Sequence, residues 1–423
     1  MMMSVADAGG FGNGINWPVA YLLDWAGLLV RWLHVIAGIA WIGASFYFVW
    51  LDNHLVPLVA PEPRDAGVAG ELWAVHGGGF YRSQKYRVAP ATLPPTLHWF
   101  YWEAYTTWLS GFALLCLLYF LRAEAYLIDP AVAMLTKPMA ISIALGALIG
   151  GWLIYDGLCR SPLGRHGRAL AVVLALAVAA EAWGLCHVFG GRGAFMIFGS
   201  SLGTIMVANV LFVIIPGQRE LVLAKQQGRN PEAAPGLRGK QRSVHNTYFT
   251  LPVVFVMISN HYAFTYGAGY NWLVLIAISF AGACIRSWFV LRHKPREHTG
   301  WRAAFPGVVG LLTLGGVVFA LAPPARGVPG GALAQDAASE DRSRVQHIIE
   351  QRCTPCHARK PAEPGFDAPP AGLVFERVDQ VMTHSPEVQQ QLAMHAMPLG
   401  NLTHMTEAER ATVLSWIAHG VRP

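Results

Sequence analysis

Eight predominantly apolar segments dominate this chain, at about 22–50, 97–121, 138–157, 169–189, 194–215, 247–265, 272–291 and 303–322. Several exceed the ~20 residues that an α-helix needs to cross the hydrocarbon core of a bilayer. With 54% hydrophobic and only 13% charged residues, the composition is far from that of a water-soluble domain. The pattern predicts an integral membrane protein of all-α class, an eight-helix transmembrane bundle in contact with the lipid bilayer. No internal repeat is evident. Cys116, Cys159, Cys186 and Cys284 lie in or beside the apolar runs and are expected as buried thiols without a disulfide. The residues up to Asn16 are small, polar and Gly-rich. They carry neither a basic leader nor a small-residue cleavage site, so no removable signal peptide is expected.

Charge sets the expected orientation. Lys and Arg collect in loops on the cytoplasmic side of a membrane. The loops after segments 1, 3, 5 and 7 hold seventeen Lys and Arg residues, and the alternate loops only Arg122, Lys137 and Arg192. Odd-to-even loops are therefore expected in the cytoplasm, with both termini outside. This asymmetry also accounts for the net charge of +6, and no nucleic-acid surface is needed to explain it. The long connection from Leu51 to Thr96 is Pro- and Gly-rich and includes His76-Gly77-Gly78-Gly79, which reads either as a turn or as the mouth of a ligand site.

A different chemistry begins after residue 322. Residues 323–338 read as a Pro/Gly/Ala linker, separating a membrane domain (1–322) from a tail (339–423). The tail holds Cys353-Thr354-Pro355-Cys356-His357, the attachment pattern of a covalent c-type haem. In that pattern the thiols bind the vinyl groups and the imidazole ligates the iron. A redox dithiol has no need of the adjacent His. Glu340 to Arg352 reads as a helix with Val345, Ile348 and Ile349 on one face. Thr406-Glu407-Ala408-Glu409 is a capping box opening a helix that carries Val413, Leu414, Trp416 and Ile417 at helical spacing. Together these features are similar to a small class I cytochrome c domain. Met397, in Ala396-Met397-Pro398-Leu399, stands where the distal sulfur is expected, so His357 and Met397 are the candidate iron ligands. Met394, Met405, His384, His395 and His404 are the alternatives. Haem c is attached in the periplasm in bacteria, which agrees with the charge argument.

Ionisable groups inside a bilayer are costly and mark functional candidates. His34, His187 and His261, with Asn260, fall towards the outer side. They could hold an intramembrane haem b, or simply bond neighbouring helices. His98, Glu103, Asn209, His245, Asn246 and Arg286 fall towards the inner side. There Arg286 beside Glu103 and the amides suits a small planar anion; a structural Glu–Arg pair is the plain alternative. The aromatic run Leu97 to Tyr105 is partly an interfacial belt.

Several longer motifs resemble one family. They are Leu33-His34-Val35-Ile36-Ala37-Gly38-Ile39-Ala40-Trp41-Ile42-Gly43, His76-Gly77-Gly78-Gly79-Phe80, Trp102 to Phe112 (WEAYTTWLSGF) and Ser259-Asn260-His261-Tyr262. The chain resembles the bacterial membrane-bound urate oxidases (urate hydroxylases), over nearly its whole length and with the parts in the same order. The resemblance implies oxidation of urate to 5-hydroxyisourate, with electrons passing to the fused cytochrome. From there they would go to a respiratory terminal oxidase or a soluble cytochrome, in the bacterial inner membrane. It supplies no catalytic residues, so Glu103, His98, Arg286, Asn246 and His245 rest on the layer argument. Arg can hold urate oxygens bidentately, while Glu103 or His98 could take protons. Two other classes fit the residues: a membrane cytochrome relaying electrons for a separate dehydrogenase, and a transporter, for which Pro252 is the one suggestive helix interruption.

Overall fold

The computed structural model describes residues 19–59, 67–292, 300–322, 335–363, 366 and 368–419. The segment up to Asn16, most of the expected linker and the middle of the loop Pro361 to Pro370 lie outside them. Each of the eight apolar segments falls on a helix. These are α1 (Val19–His54), α2 (Trp102–Leu114), α4 (Lys137–Arg160), α5 (Gly167–Cys186), α6 (Gly191–Asn209), α8 (Ala233–Ser259), α10 (Asn271–Leu291) and α11 (Phe305–Ala320). The short helices α3 (Ala123–Tyr126) and α9 (Ala263–Tyr266) lie in the connections after α2 and α8. Helix α6 runs through a π turn, Val210–Ile214, into α7 (Ile215–Gln226), and α2 ends in another, Leu115–Phe120. Among the described residues, five helices are long and apolar enough to cross a membrane.

Lipid supplies no partner for backbone polar groups, and a helix satisfies them internally. The outer faces agree with such surroundings: Trp32, Ile39, Leu176 and Leu312 are exposed on α1, α5 and α11. An aqueous surface rarely carries such continuous apolar cover. The α6–α7 run is instead the axis of the bundle, with Phe195, Ile197, Phe198 and Leu202 fully buried. Its Gly199 lets α8 approach closely, since a Cβ there would lie 2.6 Å from Val256 Cγ1. Small residues at helix crossings are the usual device where burial from water does not drive packing.

Two expectations change. The fold is mostly helical rather than all-α, because the connection after α1 folds into an antiparallel hairpin of β1 (Val68–His76) and β2 (Gly79–Tyr86). Its signal was the Gly77-Gly78 pair: both residues have positive φ, at 58° and 80°, as a tight two-residue hairpin turn requires. His76 and its glycines are thus an exposed hairpin tip, joined back to the bundle by Lys85 with Asp52. Helix α8 also begins at Ala233, well before the expected 247, and continues through Pro252 without a break. The interruption that would have favoured a transporter is absent from this helix.

The tail has its own core. Val345, Ile348 and Ile349 on α12 (Gln335–Arg352) pack with Phe375, Leu392, Val413, Trp416 and Ile417. Helix α12 takes in residues 335–338, which the sequence assigned to the linker. The short turn α13 (Thr354–His357) follows, then α14 (Val378–Thr383), α15 (Ser385–Ala393) and α16 (Glu407–His419). The capping box forms as expected: Thr406 N–H donates to Glu409 Oε2 at 2.7 Å and Glu409 N–H to Thr406 Oγ1 at 3.2 Å. Arg352 closes on the same carboxylate, its Nη2 at 2.9 Å from Glu409 Oε1. Desolvation raises the Glu409 pKa, but the bonds from Arg352 and Thr406 outweigh it and hold the carboxyl below its usual range. Such a group contributes stability above the unfolded-state carboxyl pKa of about 4.3, and that contribution is lost as pH falls through the folded-state value. We predict that Glu409→Gln flattens the acid limb of tail stability, read by hydrogen exchange of α16 in the full chain against pH; an unchanged limb would remove the pair from this role.

Candidate functional site

The inner polar residues assemble around α4, α6 and α8. Asn209 Nδ2 donates to Asn246 Oδ1 at 2.9 Å and to the Tyr155 hydroxyl at 3.0 Å. Asn246 Nδ2 donates to the Met206 carbonyl at 2.9 Å. His245 Nδ1 lies 2.8 Å from the Tyr155 hydroxyl. Below them Arg242 Nη2 donates to Asp156 Oδ1 at 2.7 Å, and Nη1 reaches Asn209 Oδ1 at 3.4 Å. Arg242 is 3% exposed and Asp156 8%, so this is a buried ion pair; the second oxygen of Asp156, Oδ2, accepts from the exposed Arg160 Nε at 2.6 Å. Three of the expected residues, Asn209, His245 and Asn246, are therefore brought together. Tyr155, Asp156 and Arg242, which complete the cluster, escaped the sequence reading. Arg242 is one of the seventeen cations that the sequence assigns to loops, because α8 begins before its apolar run. Its spacing of four from Asn246, and of eight from Thr250, was the available signal.

Arg286 and Glu103 do not form the expected pair. Arg286, on α10, is 6% exposed. Its guanidinium carbon sits 3.7 Å from the centroid of the Phe46 ring, and Nε and Nη2 have no hydrogen-bond partner. Glu103, in the first turn of α2, has one buried carboxylate oxygen, Oε2, also without a partner. Buried polar atoms are ordinarily satisfied, and exceptions call for an explanation. His98 stands outside the helix that was expected to contain it. It is exposed on the stretch before α2, with its ring 4.7 Å from Phe100. An open groove of about 490 Å³ lies beside that stretch, lined by Trp99 and by Pro216, Arg219, Glu220 and Gln226.

The outer histidines stay apart. His34 Nδ1–H donates to the Thr107 carbonyl at 2.9 Å and lies 3.2 Å from Ser110 Oγ, joining α1 to α2. His187 is exposed just beyond α5, and its Nδ1–H donates to the Trp183 carbonyl at 2.7 Å. His261 is exposed beyond the end of α8. No hydrogen bond or ring contact joins any two of the three, and no group of three metal-ligating side chains occurs among the described residues. Asn260 has a different role: its Oδ1 accepts from Tyr119 at 2.8 Å and from Arg192 at 3.2 Å. The Arg192 guanidinium in turn lies 4.7 Å from the Tyr126 ring.

In the tail, a single turn gathers Cys353, Cys356 and His357, the residues expected to attach a haem. The Cys356 and His357 amides both donate to the Cys353 carbonyl, at 3.2 and 2.9 Å. His357 Nδ1–H donates to the Leu373 carbonyl at 2.9 Å, which leaves Nε2 as the bare nitrogen. Metal-ligating histidines are oriented by such a bond. Burial lowers the His357 pKa, outweighing the bond to the Leu373 carbonyl that raises it, which favours the neutral ring that can ligate. Burial also pushes the thiols of Cys353 and Cys356 up, to about 12 and about 11. Both cysteines are free of disulfides. The residues fit a covalently held haem.

Met397 is half-buried, and its carbonyl accepts from Arg410 Nη1 at 2.7 Å. Arg410, 4% exposed, also donates to the Leu392 carbonyl at 3.0 Å, so one buried side chain ties down the loop. Of the alternatives, Met405 is buried in the tail core, while His395, exposed, pairs with Glu407. His404 is exposed, and His384 lies edge-on to Phe375. The Met397 loop meets the membrane domain on both sides. A Cβ on Gly400 would lie 2.9 Å from the Ala125 carbonyl oxygen, and one on Gly267 would lie 1.9 Å from the Met394 carbonyl oxygen. These contacts place backbone against backbone at α3 and just after α9.

Removing one partner of a buried ion pair costs roughly 3–5 kcal/mol where the other charge is stranded; here Asp156 keeps Arg160, so the cost falls below that range. We predict that Arg242→Leu lowers the thermal midpoint of the full-length protein, and that adding Asp156→Asn restores part of the loss. Equal midpoints for Arg242→Leu and the unsubstituted protein would show that the pair is not holding the layer together.

A family model described as "Urate oxidase N-terminal" matches residues 20–318. No curated protein and no solved structure matches the chain.

Proposed function

The chain belongs to the urate oxidase N-terminal family, and on that premise we propose that it oxidises urate to 5-hydroxyisourate and passes the electrons to a haem on Cys353 and Cys356. The observation that carries this reading is the seating of the Met397 loop on α3 and α9. The loop that carries Met397, the expected distal ligand, lies against the domain that matches the family. When bound, the haem supplies a one-electron acceptor, so each urate is served by two successive transfers.

The protein residues then have separable roles. A planar anion supplies acceptors for the unpartnered Nε and Nη2 of Arg286, in the bidentate manner guanidinium favours. An N–H of the purine supplies a donor to Glu103 Oε2, and Glu103 is the carboxylate placed to take a proton. The Asn209–Asn246–His245 cluster positions these helices around its own ion pair. The Trp99 groove, with Arg219 at its rim, is an opening of the size small ligands occupy and serves as the entrance. His98, exposed beside that groove, takes part in entry rather than in chemistry.

Orientation follows from two supports that agree. The loops containing α3 and α9 are the ones poor in Lys and Arg, and they are also the ones the tail meets. We place that face, both termini and the cytochrome domain in the periplasm, with a respiratory oxidase or soluble cytochrome as the onward acceptor. An intramembrane haem b gains no support from His34, His187 and His261 as they stand, and the scheme runs without one. The relay reading, in which a separate dehydrogenase feeds the tail, leaves the buried Arg286 and Glu103 atoms unexplained.

Three outcomes are expected of the full-length protein. Urate reduces the c-haem absorption band in the unsubstituted protein. Arg286→Leu leaves the haem spectrum intact but raises the urate concentration needed by at least about tenfold, the equivalent of one lost charged hydrogen bond. Met397→Ala lowers the midpoint potential of the tail, since a thioether ligand raises it. Normal urate affinity in Arg286→Leu would return that residue to a structural role, and an unmoved potential would remove Met397 from the iron.

A further inference from the structure

Helix α5 carries one acidic residue, Glu181, in a sequence that is apolar beyond Arg168 of its first turn. It lies five residues before the helix end at Cys186, so ~8 Å inside the span at 1.5 Å per residue. Its Oε1 is buried and has no hydrogen-bond partner. What faces it is built from neighbouring helices. A Cβ added to Gly151 of α4 would lie 3.5 Å from Glu181 Oε1 and 2.5 Å from Ser201 Oγ. Only a glycine leaves room there for a carboxyl group and a hydroxyl together. Ser201, on α6, is fully buried.

Helical spacing continues this polar notch inward. Tyr155 lies one turn beyond Gly151 on α4, and Asn209 lies two turns beyond Ser201 on α6, so each pair shares a helix face. Tyr155 and Asn209 are hydrogen-bonded to each other, and Tyr155 to His245. Glu181 and the inner polar cluster therefore share the α4–α6 interface, with the buried Ile205 between Ser201 and Asn209 on the α6 face. No charged side chain pairs with Glu181 among the described residues, and it belongs to no metal-ligating group. An isolated carboxylate in hydrocarbon is costly, and a proton is the ligand that removes its charge.

We propose that Glu181 is a proton-exchanging carboxyl group that takes protons from the substrate layer along the α4–α6 interface, which also holds Tyr155, and releases them towards the face bearing α3 and α9. The role rests on the urate reading for its proton source and on the apolar helices spanning a bilayer. Urate and water give 5-hydroxyisourate, two electrons and two protons. At each passage the Glu181 carboxylate gains one proton to become the neutral acid and then loses it, twice per urate. No other bond changes at the residue, and the electrons leave separately.

The test has an arm that needs no turnover. Infrared difference spectra of the full-length protein in vesicles, taken on transfer to D2O, should show a protonated carboxylic C=O band that shifts, is missing in Glu181→Gln, and exchanges more slowly in Tyr155→Phe. In turnover, Glu181→Gln should slow urate-driven haem reduction by about 100-fold, the low end of what a lost proton transfer costs, while dithionite reduces the haem at the normal rate. Absence of that band, a band that ignores D2O, or equal exchange in Tyr155→Phe would overturn the proposal, as would normal turnover in Glu181→Gln. If urate fails to reduce the haem of the unsubstituted protein, the urate reading falls, and the infrared arm still decides whether Glu181 exchanges a proton.

Discussion

Within an apolar bundle, every buried polar atom must be answered by another, and that requirement organises this molecule. The Asp156–Arg242 pair is answered locally: carboxylate, guanidinium, two amides, a phenol and an imidazole join into one network across α4, α6 and α8, with Arg160 on the second carboxylate oxygen. Such a network fixes helix register. The ionisable atoms left open among the described residues of the bundle are elsewhere, on Arg286, Glu103 and Glu181, beside the neutral Trp152 Nε1 and Ser279 Oγ. The distinction between answered and open groups separates what holds the helices together from what can act on something else.

The second requirement is continuity between two separate cores. The membrane core and the tail core share no residue, so any coupling must pass through their contact. That contact is made by backbone at Gly267 and Gly400, on either side of Met397. Side-chain contacts would be longer and more pliable. Beneath it lie Tyr119, Tyr126, Arg192 and Asn260, joined by hydrogen bonds and a cation–π contact. Arg410 holds the loop from the tail side. The geometry keeps the tail close to the membrane domain, consistent with electron transfer over a short path.

Much of this was legible in the sequence, for identifiable reasons. The helices followed from apolar run length, and the tail helices from the capping box and the spacing of Val413, Trp416 and Ile417. The hairpin was hidden because Pro and Gly in the connection read as loop, although Gly77-Gly78 marks a tight turn. Arg242 was misread because helix α8 begins in a polar stretch, where hydropathy gives no signal; only the four-residue spacing to Asn246 and Thr250 shows it facing inward. Asp156 sat at the end of a run and Glu181 inside an Ala-rich one, and each was masked by its apolar neighbours. The expected Arg286–Glu103 pair failed for a different reason: similar depth in the membrane does not by itself bring two side chains into contact. Arg286 turned to the Phe46 ring instead.

The central claim is that urate electrons are collected by the chain's own tail. Its most direct measurement is an anaerobic titration of the oxidised, full-length protein with urate, following haem reduction and hydrogen peroxide together. The account predicts two haems reduced for each urate consumed, with no peroxide formed when air is readmitted to the reaction. Urate consumption that leaves the haem oxidised, or that yields peroxide in step with urate lost, would contradict it.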